Sequence, residues 1–296
     1  MAQRYELDID VDKLVAIDTH VHIEVDGHGH NALPQYMLDG MSAYFKTDLA
    51  RPTLDETAEV YRKLNMAAVV FTIDASSALG HTPNSQEEIV AGAIRNSDVL
   101  IPFGSVDPLQ GLKAIDRAKE LYEDYGVRGF KFHPTVQGWN PSDPTYFPLF
   151  ELIEQMEVPI VVHTGQTGAG AGLPGGAGLR LSLSNPMLLD DLAAAFPALN
   201  IVMAHPSVPW QDEAIAVATH KANTWIDLSG WSPKYFPENL VRQANSLLQN
   251  KVLFASDFPV LSPERWMRDF AELNIKDEVR PKILKTNAMR LLGLDK

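Results

Sequence analysis

Residues 14–23 read Leu14-Val15-Ala16-Ile17-Asp18-Thr19-His20-Val21-His22-Ile23, an apolar run that becomes polar on alternate positions toward its end. Such a run, followed by acidic and glycine-rich sequence, reads as a buried strand entering a loop. In an extended strand, residues two apart share a face, so His20 and His22 aim two imidazoles at one point. Seven further runs of the same character follow, at 67–74, 100–107, 128–134, 159–165, 200–206, 224–230 and 252–259. Helical spacing occupies 86–96, 112–125, 187–196, 211–221 and 238–249 between them, and 264–273 and 276–292 beyond the last. Nearly continuous apolar strands imply burial on both faces, as in a parallel sheet covered by helices. Eight repeats of the unit predict an α/β fold, a (β/α)8 TIM barrel with rim insertions and a C-terminal helix. A doubly wound sheet would need a reversal of strand order and usually a phosphate loop after the first strand; neither is legible.

The 296 residues would fit one or two domains by length, and repeats spread over nearly the whole chain favour one domain across 1–296. An apolar fraction of 45% argues against disorder, and the absence of cysteine excludes a disulfide-stapled module. With 38 acidic against 25 basic residues, the net charge of −13 repels a phosphate backbone, so no nucleic-acid partner is expected. The first residues lack the apolar core of a secretory signal, and no window approaches the roughly 18 apolar residues of a membrane span. A cytoplasmic protein with a small-molecule partner, free of membrane contact, is therefore expected.

Two connections exceed what a barrel needs. Residues 24–54 follow the first strand, and 165–179, GQTGAGAGLPGGAGL, follow the fifth with seven glycines in fifteen residues. Loops after strands form the active-site face of such barrels, where glycine lets backbone N–H groups approach a ligand. Five strand ends carry His or Asp: Asp18-Thr19-His20-Val21-His22, Phe132-His133-Pro134, Val162-His163-Thr164, Ala204-His205-Pro206 and Ser256-Asp257-Phe258. His163 and Asp257, at the same level as His20 and His22, would complete a set of imidazoles and one carboxylate suited to a divalent metal such as zinc. Asp18 can orient a ligand or cap a loop. His28 and His30 lie in a loop that fixes no direction, where they either contact substrate or are ordinary surface residues. His81 and His220 read as ordinary structural histidines.

These motifs, with Gly129-Phe130-Lys131-Phe132 and Met203-Ala204-His205-Pro206, resemble the metal-dependent amidohydrolase superfamily. The resemblance is narrower toward the amidohydrolase-2 branch, which includes aminocarboxymuconate semialdehyde decarboxylase. It implies a distorted barrel holding one metal, most simply Zn with Mn as the alternative. Carried over position by position, His20, His22, His163 and Asp257 match the ligands, and His205 matches the histidine that activates bound water, with Asp257 sharing that role. The stretches GHGH, VVFTIDA, IPFGSVDP, GQTGAGAGLPGG and IDLSGWSPKYFP are similar to 4-hydroxyphenyl-β-ketoacyl-CoA hydrolases.

A metal-dependent hydrolase is thus expected, cleaving a carbon–carbon bond of an aromatic β-ketoacyl thioester with metal-activated water. A nonoxidative decarboxylase of an aromatic or muconate-type acid is the alternative, and a non-catalytic barrel that only binds is a third reading. Lys131 and His133 alternate onto one face of the fourth strand; Lys131 reads as a packed or substrate-facing cation, with a metal-bridging carbamate as the other option. Trp139, Trp231, Tyr235 and Phe236 are candidates for an aromatic pocket or for rim packing. Arg180 is a candidate for the substrate's anionic group. The terminal helix, with Met289, Leu291 and Leu292, can pack on its own barrel or on a second copy in a homodimer.

Overall fold

Eight strands form the frame of the computed structural model, which describes residues 3–46 and 51–295. They are β1 Ala16–His22, β2 Met66–Phe71, β3 Leu100–Pro102, β4 Phe130–Phe132, β5 Ile160–His163, β6 Ile201–Ala204, β7 Thr224–Asp227 and β8 Val252–Leu253. All pair in parallel and in chain order, β1 to β3 in one sheet and β4 to β8 in another. Single parallel bridges, Gly104 with Phe130 and Val21 with Phe258, join the two sheets into a ring. The result is a distorted (β/α)8 barrel whose seams rest on isolated bridges, with a register shift in β1 between Asp18 and Val21.

Alternation along each strand divides the core in two. Ala16, Ala68, Val70, Ile160, Val162, Ile201 and Met203 face outward into one cluster with the helices. Ile17, Ala67, Val69, Ile101, Val161, Val202 and Leu253 face inward. A main helix follows each strand: Leu54–Lys63, Gln86–Arg95, Leu112–Glu120, Phe147–Gln155, Leu188–Ala195, Gln211–His220, Glu238–Ala244 and Pro263–Ala271. Local chemistry sets their starts. Thr53 and Glu56 form a capping box, Ser85 caps onto Glu88 N, and Ser262 caps onto Arg265 N with Pro263 in the first turn.

The terminal helix Asn287–Leu292 packs on its own barrel, where Ala288, Leu291 and Leu292 join the inward cluster beside Leu14. The helix expected over 276–292 starts at 280 and runs to 292, widening over Lys282–Thr286 before Asn287–Leu292. Besides the single turns Ser76–Leu79 and Pro134–Gln137, three helices among the described residues were not legible: Leu54–Lys63, Phe147–Gln155 and Gln35–Phe45, the last inside the first insertion. Residues 47–50 of that insertion lie outside the described residues. Among the described residues, no helix is long and apolar enough to cross a membrane.

The strands are also shorter than their apolar runs. Asp257 was expected in the eighth strand, but β8 stops at Leu253. Both Asp257 (φ 69) and His205 (φ 70) sit in left-handed backbone conformations, which no strand continues. These turns point the two side chains back over the barrel mouth.

Candidate metal centre

The β1 strand and the turn after β8 are neighbours across a seam. His22 N donates to Phe258 O at 2.8 Å, and Asp257 N donates to His20 O at 3.0 Å. That pairing brings the Asp257 carboxylate onto the face where His20 and His22 alternate. His20 Nε2 lies 3.1 Å from His22 Nε2, and Asp257 Oδ1 lies 3.2 and 3.3 Å from them. Donors that bind one cation at about 2.0–2.2 Å stand about 3.0–3.4 Å apart, so this triangle fits a divalent metal.

The surrounding groups favour the same occupancy. His20 Nδ1 faces Asp227 Oδ2 at 2.9 Å, and His22 Nδ1 faces Glu24 Oε1 at 3.4 Å. Metal-ligating histidines commonly carry such carboxylate partners on the far nitrogen. Burial pushes the His20 pKa down to about 3 and lowers those of His133, His163 and His205, so these rings are neutral near pH 7. Burial opposes ionisation of Asp227, but the adjoining His20 ring and the N–H of His205 outweigh it and hold the carboxyl below its usual range. His20, His205 and Asp227 also lie close enough to bind a cation. However, Asp227 Oδ1 already accepts from His205 N, Ser229 N and Ser229 Oγ, so this second group reads as support for the first.

His163 stands apart from that triangle. Its Nδ1 is 2.9 Å from His205 Nε2, its ring stacks on His133 at 3.7 Å, and its Nε2 is buried without a partner. His205 in turn sits 2.8 Å from Ser229 Oγ through Nδ1, so both its nitrogens are engaged. Lys131 is fully buried, with Nζ 2.9 Å from His20 Nε2 and 4.9 Å from the Phe71 ring centroid; burial pushes its pKa down to about 8. His133 accepts from Val136 N through Nδ1.

The other expected residues are dispersed. Trp139 is buried in the core, packed on Phe132, Tyr146 and Phe150. Trp231 is half-buried, Tyr235 is exposed, and Phe236 packs at 6.3 Å on Trp266. Arg180 is exposed and borders a cavity of about 200 Å³ with Tyr36, Leu79, Thr135, Val136 and Leu183. His30 is exposed, stacks on the half-buried loop residue His81 and reaches Thr82 O, while His28 is exposed. Asp18 is buried and accepts from His20 N, Ser256 N, Ser256 Oγ and Tyr61 Oη. Asp227, Ser229 and Glu24 were missed, although Glu24 continues the alternation of His20 and His22.

The chain matches the amidohydrolase family over residues 17–294. It belongs to that family. A curated relative, the gamma-resorcylate decarboxylase of Rhizobium radiobacter, is 24% identical over 281 residues, covering 78% of this amidohydrolase and 82% of the relative. Among solved structures, an uncharacterized TIM-barrel protein of Bordetella bronchiseptica superposes with a TM-score of 0.77 at 23% identity, over 94% of this chain and 98% of that one. A dihydroxybenzoic acid decarboxylase of Polaromonas sp. JS666, solved with bound manganese and 2-nitroresorcinol, gives 0.68 at 15% identity, over 96% and 98%.

These relatives overturn the expected carbon–carbon hydrolase, because the ones that carry an activity are decarboxylases. His205, expected to take a proton from water, has its nitrogens 2.9 Å from His163 Nδ1 and 2.8 Å from Ser229 Oγ. In the GHGH stretch, His30 reaches Thr82 O. The amidohydrolase is an enzyme with a site for one divalent cation.

Proposed function

We propose that this amidohydrolase is a nonoxidative, metal-dependent decarboxylase of an aromatic carboxylic acid. The observation that carries the reading is the convergence of His20, His22, Asp257 and the Lys131 ammonium at one buried point of the barrel mouth. Decarboxylase relatives matched over most of their length support it. His20, His22 and Asp257 hold the metal, and His163 offers its unpartnered Nε2 as a fourth ligand. Manganese is favoured over the zinc first expected, since the Polaromonas relative carries manganese. When bound, the metal supplies positive charge that draws in an anionic substrate and stabilises negative charge developing on it.

The protein's own groups do the rest. Lys131 binds the substrate carboxylate, and its burial strengthens that attraction by excluding water. The neutral rings of His133 and His163 wall the site without competing for the anion. In the reaction the bond between ring carbon and carboxylate breaks, its electron pair stays on the ring, and that carbon takes one proton as carbon dioxide leaves. Asp257 is the group placed to hand over that proton. It is ionised at rest, so the proton reaches it first from the substrate hydroxyl or from solvent. One catalytic domain spanning the chain accommodates all of these roles.

The test is a panel of hydroxylated benzoic acids, 2,6-dihydroxybenzoate and 5-carboxyvanillate included, given to manganese-loaded enzyme in deuterated water. Carbon dioxide should be released with one deuterium at the vacated ring position, and a chelator should stop it. Full metal content with no carbon dioxide from any acid would overturn the reading.

A further inference from the structure

We infer that Asp227 and Ser229 form a positioning unit that sets the tautomers of two separate histidines, His20 directly and His163 through His205, so that each is left with its lone pair on Nε2. The inference rests on the metal-dependent reading of the site. It concerns what makes the rings competent to bind.

The two oxygens of Asp227 are used differently. Oδ1 accepts from His205 N at 2.9 Å, from Ser229 N at 3.0 Å and from the Ser229 hydroxyl. Oδ2 is left for His20 Nδ1 at 2.9 Å, and a carboxylate can only accept, so the proton of His20 resides on Nδ1. Nε2 then carries the lone pair toward His22 and Asp257.

Ser229 extends the constraint. Its hydroxyl proton goes to Asp227, so toward His205 Nδ1, 2.8 Å away, it can only accept. His205 is therefore protonated on Nδ1, and its Nε2 accepts from His163 Nδ1 at 2.9 Å. His163 consequently carries its lone pair on Nε2, the buried atom without a partner. One carboxylate thus fixes the proton positions on β1, on β5 and on the turn after β6. Two unlike routes from it end in the same result, a bare nitrogen.

The division between the two oxygens makes Asp227→Asn a sharp test. The amide oxygen must take the Oδ1 place, because two backbone N–H groups point there. The amide nitrogen is then set against His20 Nδ1, which becomes the acceptor although Ser229 Oγ also lies 3.1 Å from it; the His20 proton moves to Nε2, where Lys131, 2.9 Å away, gives up its extra proton to solvent and accepts as the neutral amine. An isosteric change would thereby turn a ligand into a blocked donor.

The experiment uses the full chain with 15N-labelled histidine, read before any metal is added, and then titrated with manganese alone. Wild-type protein should show His20, His163 and His205 protonated on Nδ1. Asp227→Asn should move the His20 proton to Nε2 and weaken manganese binding by about 10–100-fold, the usual range for loss of such a partner. Ser229→Ala removes the acceptor for His205; the proton should shift to Nε2 of His205 and then of His163, again with weaker manganese binding, while His20 keeps its tautomer. The inference is overturned if the tautomers in either folded variant match wild type, or if manganese binds unchanged. Should Asp227→Asn fail to fold, the His163 signal in Ser229→Ala decides alone. Because the tautomers are read without substrate, a protein that shows them and yet decarboxylates nothing would fail the functional reading and leave this one standing.

Discussion

Lys131 Nζ lies 2.9 Å from His20 Nε2, so a buried ammonium and a metal would compete for one lone pair. When a cation takes that lone pair, Lys131 must turn its charge to another acceptor, and the substrate carboxylate is the group that brings one. Lys131→Met should therefore separate two effects. KM for the aromatic acid should rise about 10–100-fold, the value of a hydrogen bond to a charged group, while manganese binding stays equal or tightens. Steady-state kinetics with a parallel metal titration checks this; a KM unchanged at full metal loading would remove Lys131 from substrate binding.

Metal binding should also be visible in stability. A ligand bound only by the native state at 100 times its Kd adds about 2.7 kcal/mol, which for a chain of this size raises Tm by on the order of 5 °C. Manganese should produce that rise in wild-type protein and a chelator should remove it. His22→Ala breaks the triangle with His20 and Asp257 and should abolish the increment. A wild-type Tm indifferent to manganese would count against the site.

Gly230 separates backbone strain from site damage. At φ 74 it lies where a Cβ would stand 2.8 Å from His205 Nδ1 and 3.2 Å from Asp257 Oδ2. Gly80, at φ 59, has nothing within 4 Å of the same position. Both changes to alanine should cost about 1–2 kcal/mol for the left-handed backbone. Only Gly230→Ala should also lose manganese affinity and activity, as denaturant unfolding and metal titration would show.

The barrel was legible because strand and helix alternate over the whole chain, and the His20/His22 pair because a period of two fixes a side. Local pattern reached less far elsewhere. Asp227 looks like an ordinary turn acid in Ile226-Asp227-Leu228-Ser229, and its importance comes from His20, 207 residues away. Trp139 follows a strand, as a pocket residue would, but Phe132 and Phe150 draw it into the core. Asp257 was found by its neighbours, yet its left-handed turn follows from pairing with β1 across a seam, which no local spacing encodes.

Beneath the metal-facing residues, Asp18 ties β1 to the turn that presents Asp257. Its carboxylate accepts from Tyr61 Oη at 2.7 Å, from Ser256 N at 3.0 Å and from His20 N at 3.1 Å. Burial nonetheless pushes its pKa up to about 6, with Ser256 and Tyr61 pulling it back. A carboxyl raised in the folded state is most compatible with folding below its unfolded value of about 3.9, and that benefit is lost as pH rises through about 6. Tyr61→Phe removes a donor to the charged form, so the pKa should climb further and the penalty at high pH should grow. The variant should lose about 1–3 kcal/mol at pH 8 and distinctly less at pH 5, measured by urea unfolding at both. An equal loss at the two pH values would mean that the hydroxyl supports packing rather than the carboxylate.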